Sequence, residues 1–209
     1  KDEKKGLYYV QKEKKRLYFR KSTPAKKIQK YYRALSMEQD RRSPHHYFNS
    51  VKEVTGKVFV DVGCAEGYSS LEIIEEAKHV YLFEQDEQWL EAIRATFEPW
   101  QDKVTIVQKY VNDHNSSREQ TLDDFFNNQT NEHLFLKMDI EGAERHALAG
   151  CNNLFQNCQK LDFAICTYHL RDDEEVISAF LDKHNCTYIN QKGFFRHKIR
   201  SVVMRGSKK

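Results

Sequence analysis

Residues 58–70 read Val-Phe-Val-Asp-Val-Gly-Cys-Ala-Glu-Gly-Tyr-Ser-Ser. An apolar run that contains Asp61 passes through two glycines and enters a segment of helical character. A second apolar run, residues 80–83, ends in Glu84, which lies 23 positions after Asp61. This order of strand, glycine loop, helix and second strand is typical of a nucleotide-type cofactor site on a parallel sheet. Glycines let the backbone approach a ligand, and the second acid can hold a ribose.

The spacing of the two glycines separates two kinds of cofactor. A dinucleotide site usually reads G-x-G-x-x-G, and the helix that follows binds a pyrophosphate. Here Asp61, Gly63 and Gly67 form D-x-G-x-x-x-G, with Glu66 inside the loop. A carboxylate at that place would repel a diphosphate. S-adenosylmethionine offers a cationic sulfonium, an amino group and a ribose for Glu84, so the loop predicts this cofactor. The alternative is a strand-turn-helix corner without a ligand.

Composition bounds the class of protein. A length of 209 residues suits one α/β domain with an appendage, and 39% hydrophobic and 31% charged residues favour a folded, soluble chain. No apolar run approaches the ~20 residues that span a bilayer, and no signal peptide is visible. The five cysteines are odd in number and form no C-x-x-C pair, which argues against a disulfide framework or a structural zinc site. The expected location is cytoplasmic.

Charge is distributed unevenly along the chain. Residues 1–45 carry 15 Lys or Arg and 5 Asp or Glu, so this segment has a net charge of +10 in a chain of net charge +3. The remainder therefore carries −7. Such a basic arm can attract nucleic acid, anionic lipid or an acidic glycan, and the alternative is a solvated surface.

The chain divides into a front extension, residues 1–50, and a main domain, residues 51–209. Two aromatic-rich runs, 7–10 and 17–19, flank a polar link and predict a β-hairpin, followed by a helix over about 25–39. From residue 57 strand and helix patterns alternate. The predicted strands are 58–62, 80–84, 104–108, 134–139 and 162–167, and the predicted helices are 69–77, 87–97, 121–128, 143–150 and 172–184.

The last segment changes character. Two apolar runs, 187–189 and 201–204, have no helix between them and predict an antiparallel pair at the sheet edge. The fold class is therefore α/β, with a doubly wound, seven-stranded, mostly parallel sheet. The aromatic pairs 125–126 and 194–195 are interpreted as core residues.

Acidic side chains and one histidine cluster at the predicted strand ends, where ligands bind in open α/β sheets. Methyl transfer to an alcohol requires alignment and benefits from a base, and His169 is the natural candidate because its pKa lies near neutrality. Asp139 could orient the donor's amino group or take the acceptor proton. Glu141 or Glu144 could orient His169 or bind substrate. The alternatives are a buried His169 bonded to backbone and a Glu144 that merely begins a helix.

Two further groups are weaker candidates. His45 and His46 could form part of a substrate wall, although surface exposure is the simpler expectation. Asp139, Glu141 and His169 could together bind a divalent metal, but their spacing matches no recognised metal motif, so no metal is predicted.

Four motifs resemble those of one family, the FkbM-type methyltransferases. Residues 136–144, Leu-Lys-Met-Asp-Ile-Glu-Gly-Ala-Glu, resemble the family signature K-x-D-x-E-G-x-E. Residues 61–67 resemble its first cofactor motif, and residues 121–125 resemble its T-L-D-x-hydrophobic segment. Tyr168-His169 lies where members often carry a histidine after the fifth strand. The likeness covers about residues 58–185 and implies a Rossmann-like class I methyltransferase fold.

The resemblance implies S-adenosylmethionine-dependent methylation, commonly of a hydroxyl oxygen on a natural product or sugar. It also implies roles for individual positions. The methionine end of the donor would contact Asp61, Gly63, Glu66, Gly67 and Tyr68; the ribose would contact Glu84; the adenine would lie by Tyr110, Val111 and Asn112; and Asp139 and His169 would face the transferring methyl group.

Other functions stay open at this stage. The leading hypothesis is O-methylation of a sugar, glycan precursor or other small metabolite. The alternatives are an RNA or protein methyltransferase that uses the basic arm, and a cofactor-binding module without turnover. A nicotinamide-dependent oxidoreductase is disfavoured by Glu66. The expected partner is a small-molecule or glycan acceptor rather than nucleic acid. Aromatic hairpins can pair between subunits, so a homodimer stays open, and the sequence does not fix the oligomeric state.

Overall fold

The computed structural model describes residues 1–127, 132–195 and 198–208, with the side chain of Phe195 left out. The strands are β1 (Tyr8–Lys12), β2 (Lys15–Phe19), β3 (Val58–Val62), β4 (His79–Phe83), β5 (Val104–Val107), β6 (Tyr110–Val111), β7 (Glu119–Gln120), β8 (His133–Met138), β9 (Lys160–Cys166), β10 (Thr187–Phe195) and β11 (Lys198–Lys208). The α-helices are α1 (Ala25–Glu38), α2 (Tyr68–Ile73), α3 (Glu87–Phe97), α4 (Leu122–Phe125), α5 (Glu144–Ala149), α6 (Asn152–Asn157) and α7 (Asp173–Lys183), and short 3-10 helices lie at Val51–Val54 and Glu98–Trp100.

Seven strands form one sheet in the order β10-β11-β9-β8-β3-β4-β5. The five strands from β9 to β5 are parallel to one another, and β11 runs antiparallel to both β9 and β10. This confirms the predicted doubly wound α/β sheet and its antiparallel end. Chain order reverses between β3 and β8, so the carboxyl ends of these two strands open the crevice in which such folds bind ligands.

Each face of the sheet is covered by its own apolar cluster. Phe59 of β3 points into a cluster with α2 and α3, whereas its neighbours Val58 and Val60 point into a second cluster on the other face. Because both faces are covered, β3 is buried along its whole length and reads as a continuous apolar run.

The front extension packs on the face that carries α2 and α3. Leu17, Phe19 and Ile28 belong to the same buried cluster as Phe59. The backbone amide of Tyr18 donates to the Thr96 hydroxyl of α3 at 3.0 Å. The extension therefore shares the core of the sheet domain, and the domain boundary at residue 50 stays a prediction.

Several local predictions differ from the structure. The helix predicted over 121–128 ends at Phe125, and residue 128 lies outside the described residues. Helix α6 and the small β6–β7 ladder were not predicted. The core interpretation of Phe194 is wrong: its side chain is 76% exposed, because β10 and β11 run on past the covered part of the sheet.

Among the helices of the described ranges, none combines the length and the apolar character that a membrane-spanning segment needs.

Candidate functional site

A cavity of about 650 Å³ opens at the carboxyl ends of β3, β4 and β8. The sheet domain supplies most of its walls, including the glycine loop after β3, the end of β4 and the loop after β8. The front extension closes one side with Arg20, Tyr31, Ala34, Leu35, Glu38, Gln39 and Tyr47. The cavity therefore lies at the reversal point of the sheet and is shared between the two predicted parts of the chain.

Gly63 brings two strand ends into direct contact. Its φ of +77° lies in the left-handed region, and a Cβ added there would lie 2.1 Å from the carbonyl oxygen of Asp139. The loop after β3 therefore packs on the loop after β8 only because residue 63 has no side chain. Gly67 plays a similar packing role at the start of α2, where a Cβ would lie 2.6 Å from the Phe97 ring.

Asp61 lies at the floor of the cavity in a buried ion pair. Its Oδ1 lies 2.8 Å from Lys137 Nζ, and its Oδ2 accepts from the Ser70 hydroxyl at 2.6 Å. Lys137 also donates to the carbonyl of Gly63 at 2.7 Å. Burial alone lowers the pKa of Lys137, but Asp61 and Asp139 outweigh it and hold that pKa above its usual value. This ion pair holds the glycine loop in place. Because Lys137 neutralises most of the charge of Asp61, little of that charge can act on a ligand.

Glu66 is buried in the loop and lines the cavity. Its Oε2 accepts from the hydroxyl of Tyr31 at 3.1 Å. Burial raises the pKa of Glu66 to about 7, although Tyr31 and Lys137 act in the opposite direction. The carboxylate therefore gains its charge near neutral pH, at a place where a cationic ligand group would stabilise it. Tyr68, next but one in sequence, also lines the cavity and donates to Ser36 Oγ at 3.4 Å.

Glu84 stands at the end of β4 with both carboxylate oxygens oriented by backbone. Oε2 accepts from the amide of Ala65 at 3.0 Å and Oε1 accepts from the amide of Asp86 at 2.8 Å. Burial raises the pKa of Glu84, and these two hydrogen bonds partly oppose the rise. A carboxylate fixed in this way on the cavity wall can accept hydrogen bonds from vicinal hydroxyls of a ribose.

Beyond Glu84 the wall carries Tyr110 and Val111. Tyr110 is 50% exposed, whereas Val111 is buried. Asn112 does not line the cavity, since its amide donates to Glu119 Oε1 at 2.7 Å across the β6–β7 ladder. Two of the three positions expected beside an adenine therefore face the cavity.

Asp139 lines the opposite end of the cavity, and His169 lies next to it, with a side chain that is 8% exposed and does not line the cavity. Tyr47 donates to Asp139 Oδ2 at 2.6 Å, and Asp139 Oδ1 lies 3.5 Å from His169 Nε2. Glu141 Oε2 lies 3.6 Å from the same nitrogen, on a side chain that is 90% exposed. The imidazole Nε2 is thus flanked by two carboxylates, and the nitrogen itself is buried.

Glu144 lies behind the imidazole. It begins α5, is fully buried, and accepts from the backbone amides of Ile140 at 2.9 Å and Gly142 at 3.0 Å. Its Oε1 also lies 2.9 Å from His169 Nδ1, an ion-pair contact rather than a well-aligned hydrogen bond. Glu144 therefore starts the helix and also contacts His169, and its role in orienting the imidazole stays a prediction. Burial lowers the pKa of His169, but Glu144, Asp139 and Glu141 outweigh it, so the pKa rises above its usual value.

The same end of the cavity offers atoms for a cation. One ligand atom each of Asp139, Glu144 and His169 lies within 4.8 Å of the others. Glu144, however, is fully buried and both of its oxygens already accept backbone hydrogen bonds. This arrangement favours an imidazole–carboxylate pair, and the expectation of no bound metal stays a prediction.

The expectation that His45 and His46 are surface-exposed is wrong. His46 is buried, contacts the carbonyl of Ser43, and approaches Arg205 Nη1 at 2.9 Å. It is held away from the cavity. His45 is half-buried, and its ring lies 4.6 Å from that of Tyr168, which lines the cavity. The segment is covered because Pro44 packs against Gly193 of β10.

The cavity is acidic. Its lining includes seven carboxylates, of Glu38, Asp61, Glu66, Glu84, Asp86, Asp139 and Glu141, and three cations, of Arg20, Lys109 and Lys137. Two of these cations are engaged, since Lys137 pairs with Asp61 and Arg20 lies 3.5 Å from Asp86. Charge complementarity therefore favours a cationic ligand and opposes a diphosphate.

Sequence reasoning missed several cavity residues that lie far apart in the chain. Tyr31 of α1 turns toward Glu66, and its ring stacks on Trp89 at 6.4 Å between centroids. Tyr47 contacts Asp139 across 92 positions of sequence. Their aromatic character was visible, but no periodic pattern connects residues so far apart.

Comparison with known proteins supports the same family. The profile of the Methyltransferase FkbM domain matches residues 38–189. A structure of the methyltransferase FkbM from Methylobacillus flagellatus is similar, with 19% identity and a TM-score of 0.58 over 72% of this chain and 43% of that one. Comparison with the curated proteins gives no match.

Two further structures share the fold. A putative methyltransferase from Streptococcus mutans in complex with SAH has 14% identity and a TM-score of 0.53, over 76% of this chain and 93% of that one. Magnesium protoporphyrin IX methyltransferase from Synechocystis with bound SAM has 11% identity and a TM-score of 0.51, over 88% and 79% of the two chains. At such identities the likeness extends to the fold alone. The matched profile spans most of the chain and includes the glycine loop, Asp139 and His169, and the protein thus belongs to the FkbM methyltransferase domain family.

Proposed function

We propose that the protein is an S-adenosylmethionine-dependent methyltransferase that methylates a hydroxyl oxygen of a sugar, a glycan precursor or another small metabolite. The observation that carries the proposal is the acidic cavity at the reversal point of the sheet, with Glu66 and Glu84 on its wall. Two structural neighbours in the same fold were solved with SAH or SAM bound, which supports this choice of donor.

The residues of the cavity fit the parts of the donor. Glu84, fixed by two backbone amides, would accept hydrogen bonds from the ribose hydroxyls. Glu66 would face the amino group or the sulfonium, and Tyr110 and Val111 would border the adenine. The donor supplies an electrophilic methyl group on a positively charged sulfur.

The chain's own task is then alignment and proton removal. His169 Nε2 would take the proton of the acceptor hydroxyl as the oxygen bonds to the methyl carbon and the carbon–sulfur bond breaks. Glu144, at 2.9 Å from Nδ1, would stabilise the imidazolium that forms. Asp139, held by Tyr47, would orient the acceptor or the donor's amino group beside it.

Calorimetry with S-adenosylmethionine tests the donor assignment. We expect Glu84→Ala to weaken binding by about 1–3 kcal/mol, because charged hydrogen bonds to the ribose are lost. Glu75→Ala is the matched control, since this exposed acid lies outside the cavity and its removal should leave the affinity unchanged. Unchanged affinity in Glu84→Ala would show that the ribose binds elsewhere. Binding of a nicotinamide dinucleotide in preference to S-adenosylmethionine would contradict the proposal itself.

A second prediction concerns pH. Because the pKa of Glu66 is about 7, the carboxyl is largely protonated at pH 6 and largely ionised at pH 8. A cationic donor binds the ionised form better, so the dissociation constant for S-adenosylmethionine should fall as pH rises through about 7. In Glu66→Gln this dependence should flatten and affinity should stay at the weaker, acidic value. An equally steep dependence in the variant would assign the titration to another group.

Turnover separates an enzyme from a binding module. Incubation with methyl-labelled donor and a cell extract, followed by mass identification of the labelled product, would identify the acceptor. Donor binding without transfer to any component would favour the module.

A further inference from the structure

The outward face of α1 carries four exposed cations, Lys26, Lys27, Lys30 and Arg33. We refer to them as the α1 cationic stripe. Within residues 1–127, 132–195 and 198–208, none of the four forms an ion pair, and the first turn of α1 contains no acid. The positive charge of this helix face is therefore not compensated by neighbouring side chains.

Several other cations of the extension form ion pairs. Lys5 pairs with Glu98 at 2.7 Å, Lys21 with Glu91 at 2.9 Å, and Lys12 with Glu72. Lys4, Lys14, Lys15 and Arg41 also lack an ion pair within the described residues, but α1 carries four such cations on one helix face.

The stripe borders the cavity. The cavity is lined by three residues from one side of the same helix, Tyr31, Ala34 and Glu38. Lys27 precedes Tyr31 by four residues and therefore lies on the same side of α1, one helical turn earlier. Lys26, Lys30 and Arg33 form the next row. A molecule whose reactive part lies in the cavity can therefore reach the stripe across the rim.

The interior of the cavity and the α1 cationic stripe on its rim carry opposite charges. The interior is acidic, so the part of an acceptor that enters it must be neutral or cationic. The rim beside it is basic and attracts anions. We propose that the α1 cationic stripe binds the anionic groups of an acidic saccharide whose neutral hydroxyl enters the cavity. The proposal rests on the proposed methylation of a hydroxyl and names the class of acceptor.

The size and surroundings of the stripe favour a short anionic molecule. Lys26 and Arg33 are seven residues apart on one helix, so the stripe is about 10 Å long, which is room for two or three anionic groups. Residues 46–209 carry a net charge of −7 and would repel a long polyanion such as RNA. A bilayer is disfavoured too, because the apolar side of α1, with Ile28, Tyr32 and Leu35, packs into the protein core.

The test compares two double variants of equal charge. Lys26→Gln with Lys30→Gln removes two cations of the stripe, and Lys4→Gln with Lys14→Gln removes two exposed cations of the hairpin region. Glutamine keeps the helix propensity of lysine. The probes are labelled oligogalacturonate, a phosphorylated mannan oligosaccharide and, as a neutral comparison, a malto-oligosaccharide. S-adenosylmethionine binding is measured in parallel.

We expect the wild-type protein to bind one or both acidic probes and not the neutral one, with affinity falling as salt rises. The stripe variant should lose about tenfold at low salt and the hairpin variant less than about twofold. Equal losses in the two variants, no acidic binding in wild type, or tighter binding of an RNA oligonucleotide than of the saccharides would overturn the proposal. A wild-type protein that binds the acidic probe but not S-adenosylmethionine would refute the proposed function and leave the anion site standing.

Discussion

Replacement of His169 by glutamine should lower the rate of methyl transfer by about 10²- to 10⁴-fold, the contribution expected of a general base. Glutamine can keep a hydrogen bond toward Glu144 but cannot take a proton from the acceptor. The affinity for S-adenosylmethionine should change little, because the cavity wall around Glu66 and Glu84 does not include His169. The measurement is label transfer from methyl-labelled donor into a cell extract, with calorimetry of the donor alongside.

The pH profile distinguishes a base from a positioning residue. His169 must be neutral to accept a proton, and the surrounding carboxylates hold its pKa above its usual value. The rate should therefore rise with pH through that raised value in wild type, and the residual rate in the variant should lack this step. His133→Gln is a matched control, since His133 also faces a carboxylate, Asp162 at 2.7 Å, but lies outside the cavity. A loss in His169→Gln no larger than in His133→Gln would remove His169 from the mechanism.

Gly63→Ala should both destabilise the protein and abolish donor binding. The added Cβ would lie 2.1 Å from the Asp139 carbonyl oxygen and 2.6 Å from the Ile140 side chain, so the loops after β3 and β8 must separate. Overpacking and the left-handed backbone of a non-glycine residue together should cost about 3 kcal/mol in the free energy of unfolding. Urea denaturation measures this cost, and calorimetry at a temperature where the variant is folded measures the loss of donor binding.

Gly56→Ala separates backbone strain from steric clash. Gly56 has a φ of +71°, close to that of Gly63, but no heavy atom lies within 4 Å of the position a Cβ would take. This control should cost only about 1–2 kcal/mol and leave donor affinity unchanged. If Gly63→Ala were no more harmful than Gly56→Ala, the close contact between the two loops would not be required for the site.

Continuous apolar runs with clear ends made most of the sheet predictable. Strand β3 and helix α3 match the predicted bounds, because β3 is buried on both faces and Asp86 caps α3 by accepting from the amide of Gln88. Glu84 was predictable for the same reason, since it ends a buried strand at the carboxyl edge of a parallel sheet. Such positions depend on local sequence alone.

The parts that were missed depend on tertiary contacts. The partner of Lys137 is Asp61, 76 positions earlier in the chain, and Asn112 donates a hydrogen bond to Glu119, whereas its predicted place beside the adenine stays a prediction. His46 is buried because Arg205 of β11 lies beside it. In each case the residue type was consistent with a ligand contact, and contacts with other segments of the folded chain decided where the side chain lies.

The most direct measurement is a crystal structure of the protein with S-adenosylhomocysteine. We predict the ribose hydroxyls within hydrogen-bond distance of Glu84, the amino group beside Glu66, and the sulfur turned toward Asp139 and His169. A ligand bound outside this cavity, or a cavity that stays empty at saturating ligand, would contradict the assignment of these residues to a methyl donor.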